Sequence, residues 1–184
     1  MKIFIVWSGR KSKKVAQVLH EWIKNVIQVA KPWMSSKDID KGTQWSLEIA
    51  KELKNAKIGI ICLTANNLKE PWIYFESGAL TNAVEKAYVC PYLFGLEFKD
   101  VTSPLSQFQL TKAEKEDTYK LVETINKRRG SRALSEKRLK NTFEKWWPDL
   151  EKSLKKIEKA TEKKKKKPSK KPSKKPLKKP KKKK

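Results

Sequence analysis

Four short apolar runs in the N-terminal half limit this chain to a small set of folds. They are residues 2–7, 31–36, 57–63 and 88–94. Each mixes Ile, Val, Cys or aromatic side chains over a length too short for a buried helix, so each reads as a strand. The clearest, Lys57-Ile-Gly-Ile-Ile-Cys-Leu63, is apolar almost without break, as a central parallel strand covered on both faces must be. Between the runs the pattern changes period. Ser12 is placed to cap a helix reaching about Val29, with Val15, Leu19, Trp22, Ile23, Val26 and Ile27 on one face. A second helix starts at Thr43 with Trp45, Ile49 and Leu53 on one side, and a third starts at Pro71 and reaches about Lys86. Strands alternating with helices make βαβ units with right-handed crossovers. The expected fold is therefore a three-layer α/β domain with a four- to five-stranded parallel sheet. Pro91 places the end of the 88–94 strand near an edge or bulge.

Beyond residue 94 the signal weakens. A segment from Gly95 to Gln109 has no clear period, a helix is expected from about Lys115 to Arg128, and another from Ser135 to Trp147. Pro148 is expected to interrupt that last helix, with a charged helix continuing to about Lys159. From Lys163 to Lys184 the chain holds 15 lysines, no acid, and prolines at 168, 172, 176 and 180. Such a segment cannot pack a core and is expected to be disordered.

Charge sorts the candidate partners. The formal net charge is +25, and without the tail the remaining residues carry +10. A basic domain with a more basic tail favours polyanions: nucleic acid, an anionic membrane surface or phosphorylated ligands. The tail reads first as a non-specific nucleic-acid element, with an anionic surface or a simple spacer as the competing uses. The seven tryptophans invite a base-stacking reading, but Trp22, Trp33, Trp45 and Trp72 fall on apolar faces or strands and read as core.

Several chemistries are disfavoured. Cys62 and Cys90 each sit inside an apolar run and read as reduced core residues, and His20 is the only histidine. A zinc site or a Ser–His–Asp system therefore lacks its residues, and no metal is expected. There is no Gly-x-Gly-x-x-Gly after the first strand and no P-loop motif. No apolar run reaches the length of a membrane span, and the first residues do not form a signal peptide. The expected compartment is the cytoplasm.

Ligands of doubly wound sheets gather at the carboxyl ends of the strands, here the loops after Trp7, Ser36, Leu63 and Phe94. The segment with most chemistry is Glu70-Pro-Trp-Ile-Tyr-Phe-Glu-Ser-Gly-Ala-Leu80. On a helix, Trp72, Glu76, Ala79, Leu80 and Ala83 share one face. Glu76 then lacks the lysine that most helical glutamates find three or four residues away. Burial of that kind raises a carboxyl pKa and marks a functional candidate. Spacing alone leaves the commoner outcome open, a solvated carboxylate at the edge of the stripe or one paired with a distant lysine.

Three motifs in order carry a resemblance. Ile3-Phe4-Ile5-Val6-Trp7-Ser8 resembles the first box of Toll/interleukin-1 receptor (TIR) domains. Asp38-Ile39-Asp40-Lys41-Gly42 falls where their BB loop lies. Trp72 followed by Glu76 looks like the Trp-x-x-x-Glu of NAD-cleaving TIR domains. The likeness spans roughly residues 1–130, with a helical extension at 131–162 and the tail at 163–184. Val6 stands where the family often has Ser, and the Phe-Trp third box is not in its usual place.

The resemblance implies a flavodoxin-like TIR fold and an NAD+ glycohydrolase or ADP-ribosyl cyclase, activated by self-association, in bacterial defence or signalling. NAD+ would be the substrate, with no cofactor. Glu76 would be the catalytic carboxylate. Trp7, Ser8, Gly9, Arg10, Asp38, Lys41, Gly42 and Trp72 would line the substrate site, with Trp7 or Trp72 stacking on the nicotinamide ring. The alternatives are a non-enzymatic TIR interaction module, or an N-glycosidase of the nucleoside deoxyribosyltransferase kind.

Overall fold

The computed structural model describes residues 1–34, 56–70, 88–102 and 104–165. Its elements are β1 (Lys2–Val6), α1 (Gly9–Val26), β2 (Lys31–Trp33), β3 (Ile58–Leu63), β4 (Tyr88–Leu93), β5 (Thr111–Lys112), α2 (Lys115–Lys127) and α3 (Glu136–Lys165). The expected helices from Thr43 and Pro71, the loop bearing Asp38, Lys41 and Gly42, and the tail from residue 166 lie outside the described residues.

The five strands form one sheet in the order β2-β1-β3-β4-β5, every pairing parallel. This is the flavodoxin-like doubly wound order, in which the chain turns back between β1 and β3. The two-residue β5 follows the segment where the sequence pattern is weakest.

Strand pleating sorts the apolar residues onto two faces. Ile3, Ile5, Ile58, Ile60, Cys62 and Tyr92 pack with α1, α2 and α3, while Phe4, Val6, Ile61, Leu63 and Leu93 belong to a second cluster on the opposite face. Every side chain of β3 is buried. Its two-sided apolarity is thus explained by its central position. Both cysteines are buried thiols without a disulfide. Burial pushes Cys90 up to about 11 and raises Cys62 further, so neither thiol is a thiolate at neutral pH.

Pro91 sits in β4 without breaking it, for a reason of register. Tyr88 and Phe94 donate their N–H groups to Lys57 and Leu63, so odd-numbered residues of β4 point theirs toward β5. Pairing with β5 begins only at Tyr92. The missing N–H of Pro91 therefore faces a side where the sheet is locally open, as an edge position requires.

Two expectations about helices are corrected. Ser12 does not cap α1: the helix starts at Gly9, its N-cap residue is Ser8, and no side chain caps it. Pro148 does not interrupt the last helix, because α3 continues unbroken from Glu136 to Lys165. An internal proline costs about 3 kcal/mol through the lost backbone bond and ring clash. Against this, Leu139, Phe143, Trp147, Leu150, Leu154 and Ile157 form one buried stripe along the helix. Burying six such side chains contributes on the order of 10 kcal/mol, so packing wins. Trp147 stacks on Phe143 at 5.6 Å between ring centroids, and Trp22 donates its indole N–H to the Trp146 carbonyl at 2.8 Å. The Trp146-Trp147 pair therefore ties the final helix to α1.

Candidate active site

The carboxyl edge of the sheet is built where β1 and β3 end side by side. β1 stops at Val6, and Trp7, Ser8, Gly9 and Arg10 follow at the point where the strand order reverses. Gly9 takes φ of +79°, and a side chain there would meet open space. The conformation therefore demands glycine for backbone reasons, not for close packing. It turns the chain directly from strand into helix, so the first N–H groups of α1 stand at this edge.

The α1 N-terminus is electrostatically unusual. Its first turn holds no acid, while Arg10, Lys11, Lys13 and Lys14 crowd the start of the helix. Cations at a helix N-terminus oppose the macrodipole. The cost is tolerable where the end serves an anion, since uncapped N–H groups and positive charge attract the same ligand.

The side chains split into supports and exposed groups. Ser12 is buried and donates to the Cys62 carbonyl at 2.8 Å, while accepting from the Ser8 N–H at 3.3 Å. It ties the helix start to the end of β3. Asn67 closes the β3 exit. Its Oδ1 accepts from Thr64 N–H at 2.7 Å and Thr64 Oγ1 at 3.1 Å, and its Nδ2 donates to the Cys62 carbonyl at 3.1 Å. Thr64 and Asn67 are both buried, so this network replaces water at the bottom of the edge.

Trp7 is half-buried and packs beside the core cluster on the α1 face. Lys13 Nζ sits 4.9 Å from its ring centroid. Its indole Nε1 is buried with no hydrogen-bond partner among the described residues, an orphaned donor of the sort a bound acceptor satisfies. Lys11 Nζ lies 4.9 Å from the Phe94 ring, reaching from α1 to the end of β4. A groove of about 500 Å³ continues from there, between Phe94, Gly95, Lys112 and the α3 residues Trp147, Leu154 and Glu158. A larger groove, about 720 Å³, lies elsewhere, between β4, β5 and α2.

The structure thus brings Trp7, Ser8, Gly9 and Arg10 together at one edge. Asp38, Lys41, Gly42, Trp72 and Glu76 lie outside the described residues. Sequence reasoning missed Lys11, Ser12 in its actual role, and Asn67. The Thr64-Ala-Asn-Asn67 stretch after an apolar strand was a readable turn signal, because Asn side chains close such turns on the backbone. Among the described residues no cluster of His, Cys, Asp and Glu is arranged to hold a metal ion. No helix among them is long and apolar enough to cross a membrane.

Comparison with known proteins bears on this geometry. No curated protein sequence matches the chain. Solved structures with similar backbones include a diflavin flavoprotein A3 from Nostoc sp., at 15% identity, TM-score 0.36, covering 88% of this chain and 96% of that one. Another is an azoreductase from Bacillus anthracis, at 10% identity, TM-score 0.35, covering 86% and 98%. A family model described as TIR domain matches residues 3–125. That span runs from β1 into the last turn of α2, across the whole sheet. The chain belongs to the TIR domain family.

Proposed function

We propose that this TIR domain is an NAD+ nucleosidase that cleaves the bond between nicotinamide and ribose, with Glu76 as its catalytic carboxylate. The observation that carries the reading is the carboxyl edge at the β1/β3 switch point. It offers an uncapped helix N-terminus, Arg10 and Lys11 for a diphosphate, and the orphaned indole N–H of Trp7. Trp72 and Glu76 stand in the segment joining β3 to β4, in the spacing of NAD-cleaving family members.

One carboxylate suffices for this reaction. When the glycosidic bond breaks, its electron pair goes to the positively charged pyridinium nitrogen, so nicotinamide leaves neutral and needs no proton. The positive charge moves to the ribose as an oxocarbenium-like centre, where a carboxylate stabilises it. Water then gives ADP-ribose and a proton, whereas attack by an adenine nitrogen gives a cyclic isomer. Asp38, Lys41 and Gly42 would shape the lip of this pocket, and Trp72 would stack on the cationic ring before cleavage. We further propose that self-association activates the enzyme in bacterial defence or signalling.

The test is nicotinamide release from NAD+ by the full chain, by Glu76→Ala and by Glu76→Gln, at high protein concentration with and without DNA. Release should fall by at least about 100-fold in both variants while circular dichroism is unchanged. Equal release by a folded variant would overturn the role of Glu76. No release from any protein under clustering would favour an interaction module, and turnover of deoxynucleosides but not NAD+ would favour a deoxyribosyltransferase.

A further inference from the structure

The amino edge of the sheet, opposite the candidate active site, carries a row of cations. Strand register puts Lys31 level with Lys2, and Ile58 level with both Ile3 and Tyr88. Lys31, Lys2, Lys57 and Tyr88 therefore stand at the starts of four adjacent strands, about 4.8 Å apart and about 14 Å end to end. Backbone bonds from Lys31 to Met1, Lys57 to Lys2 and Tyr88 to Lys57 fix the alignment.

The turn after α2 adds to the row. In Arg128-Arg129-Gly130-Ser131-Arg132, Gly130 takes φ of +60° with open space at its Cβ position. The Arg128 guanidinium lies 3.4 Å from the Tyr88 ring centroid, and Tyr88 remains 39% exposed. Arg129 Nη1 bonds Asn126, but its Nε is buried without a partner among the described residues. The Met1 amine has its pKa lowered, by burial first and then by Lys31, Lys57, Arg129 and Arg132, which converge on it. Among the described residues, no carboxylate is within ion-pair distance of Lys31, Lys57, Arg128, Arg129 or Arg132.

We infer that this edge is a binding surface for the phosphodiester backbone of single-stranded nucleic acid, with the Tyr88–Arg128 pair as a stacking platform for a base. A strip of cations about 14 Å long can follow a short stretch of phosphodiester backbone. An aromatic ring already stacked on a guanidinium is the element that single-strand binders set beside such a strip. An anionic membrane would call for a cluster of exposed apolar side chains, and at this edge the exposed aliphatic is Val29 alone among the described residues.

The surface is built from residues of the folded domain. Late α1 meets early α3, where Trp22 contacts Phe143 at 5.8 Å. Leu154 and Glu158 instead line the groove at Gly95, which adjoins Lys11 of early α1. α3 thus runs antiparallel to α1 and heads toward the carboxyl edge. The inference does not depend on NAD+ cleavage.

The test uses the full chain and a labelled single-stranded oligonucleotide, followed by anisotropy across a salt series. Replacing Lys31, Lys57 and Arg132 together by Gln should reduce the slope of log affinity against log salt by about 2, at about 0.7 per phosphate contact. The matching Lys31→Arg, Lys57→Arg variant should keep the slope. Acetylation of Lys31 and Lys57, read by mass spectrometry on the wild type, should be suppressed by the oligonucleotide. An unchanged slope, or acetylation indifferent to the oligonucleotide, overturns the assignment. Protection by phosphatidylserine vesicles with none by the oligonucleotide also overturns it, in favour of a membrane surface.

Discussion

Asn67 shows how a buried polar residue can set the shape of a site it does not enter. Three of its hydrogen bonds lie between the end of β3 and the turn that follows. Removing it strands the Thr64 N–H, which is fully buried, and costs the desolvation of that group as well as the bonds themselves. Asn67→Ala should therefore destabilise the domain by about 2–3 kcal/mol. Ser12→Ala should cost only about 1 kcal/mol, since the Cys62 carbonyl keeps its bond from Asn67. Urea unfolding of both variants checks the order, and a Ser12 variant less stable than the Asn67 variant would reverse the assignment of which residue holds the edge. Legibility at this scale was uneven. Trp7 through Arg10 were readable because a strand must end and a glycine must turn. Ser12 was misread because a serine near a helix start has two uses, and only the neighbouring strand decides between them. Asp38, Lys41, Gly42, Trp72 and Glu76 rest on the sequence pattern and the family alone.

At the level of elements, α3 is the clearest case of tertiary packing overriding local propensity. Its buried stripe passes straight through Pro148, and the ring leaves the Glu144 carbonyl without its helical donor. Because neighbouring turns are held by α1 and α2, the proline is a standing cost and not a designed kink. Pro148→Ala should raise stability by about 1–2 kcal/mol, the helix-interior gain less the entropy proline removes from the unfolded chain. Thermal unfolding measures this, and a destabilised Pro148→Ala would show that the proline itself is needed for packing. The strands were legible because short apolar runs have few other uses. The passage through Pro148 was not, since the side chains that outweigh the proline cost lie on α1 and α2, far away in sequence. The two-residue β5 was equally hidden, because its pairing depends on β4 and not on its own pattern.

Within the described residues, cations gather at both edges of the sheet, with an energetic consequence. Residues 1–162 carry +10, while the ion pairs joining described residues involve partners open to solvent, such as Lys155–Glu151 and Lys115–Glu144. Exposed pairs of this kind contribute about 0–1 kcal/mol each. Repulsion among Lys31, Lys57, Arg128, Arg129 and Arg132 at the amino edge has no carboxylate among the described residues within ion-pair distance to offset it. Salt screens both attraction and repulsion, and where repulsion is in excess the folded state gains. The melting temperature of the full chain should rise from low to high sodium chloride. The triple Gln variant at Lys31, Lys57 and Arg132 should melt higher than wild type at low salt, and the gap should close as salt is added. A wild type whose melting temperature falls with salt would mean that the visible ion pairs outweigh the repulsion, and that the amino edge is better neutralised than its geometry indicates. The expected result would instead show a row of like charges held together at a stability cost, as a surface kept for an anionic partner requires.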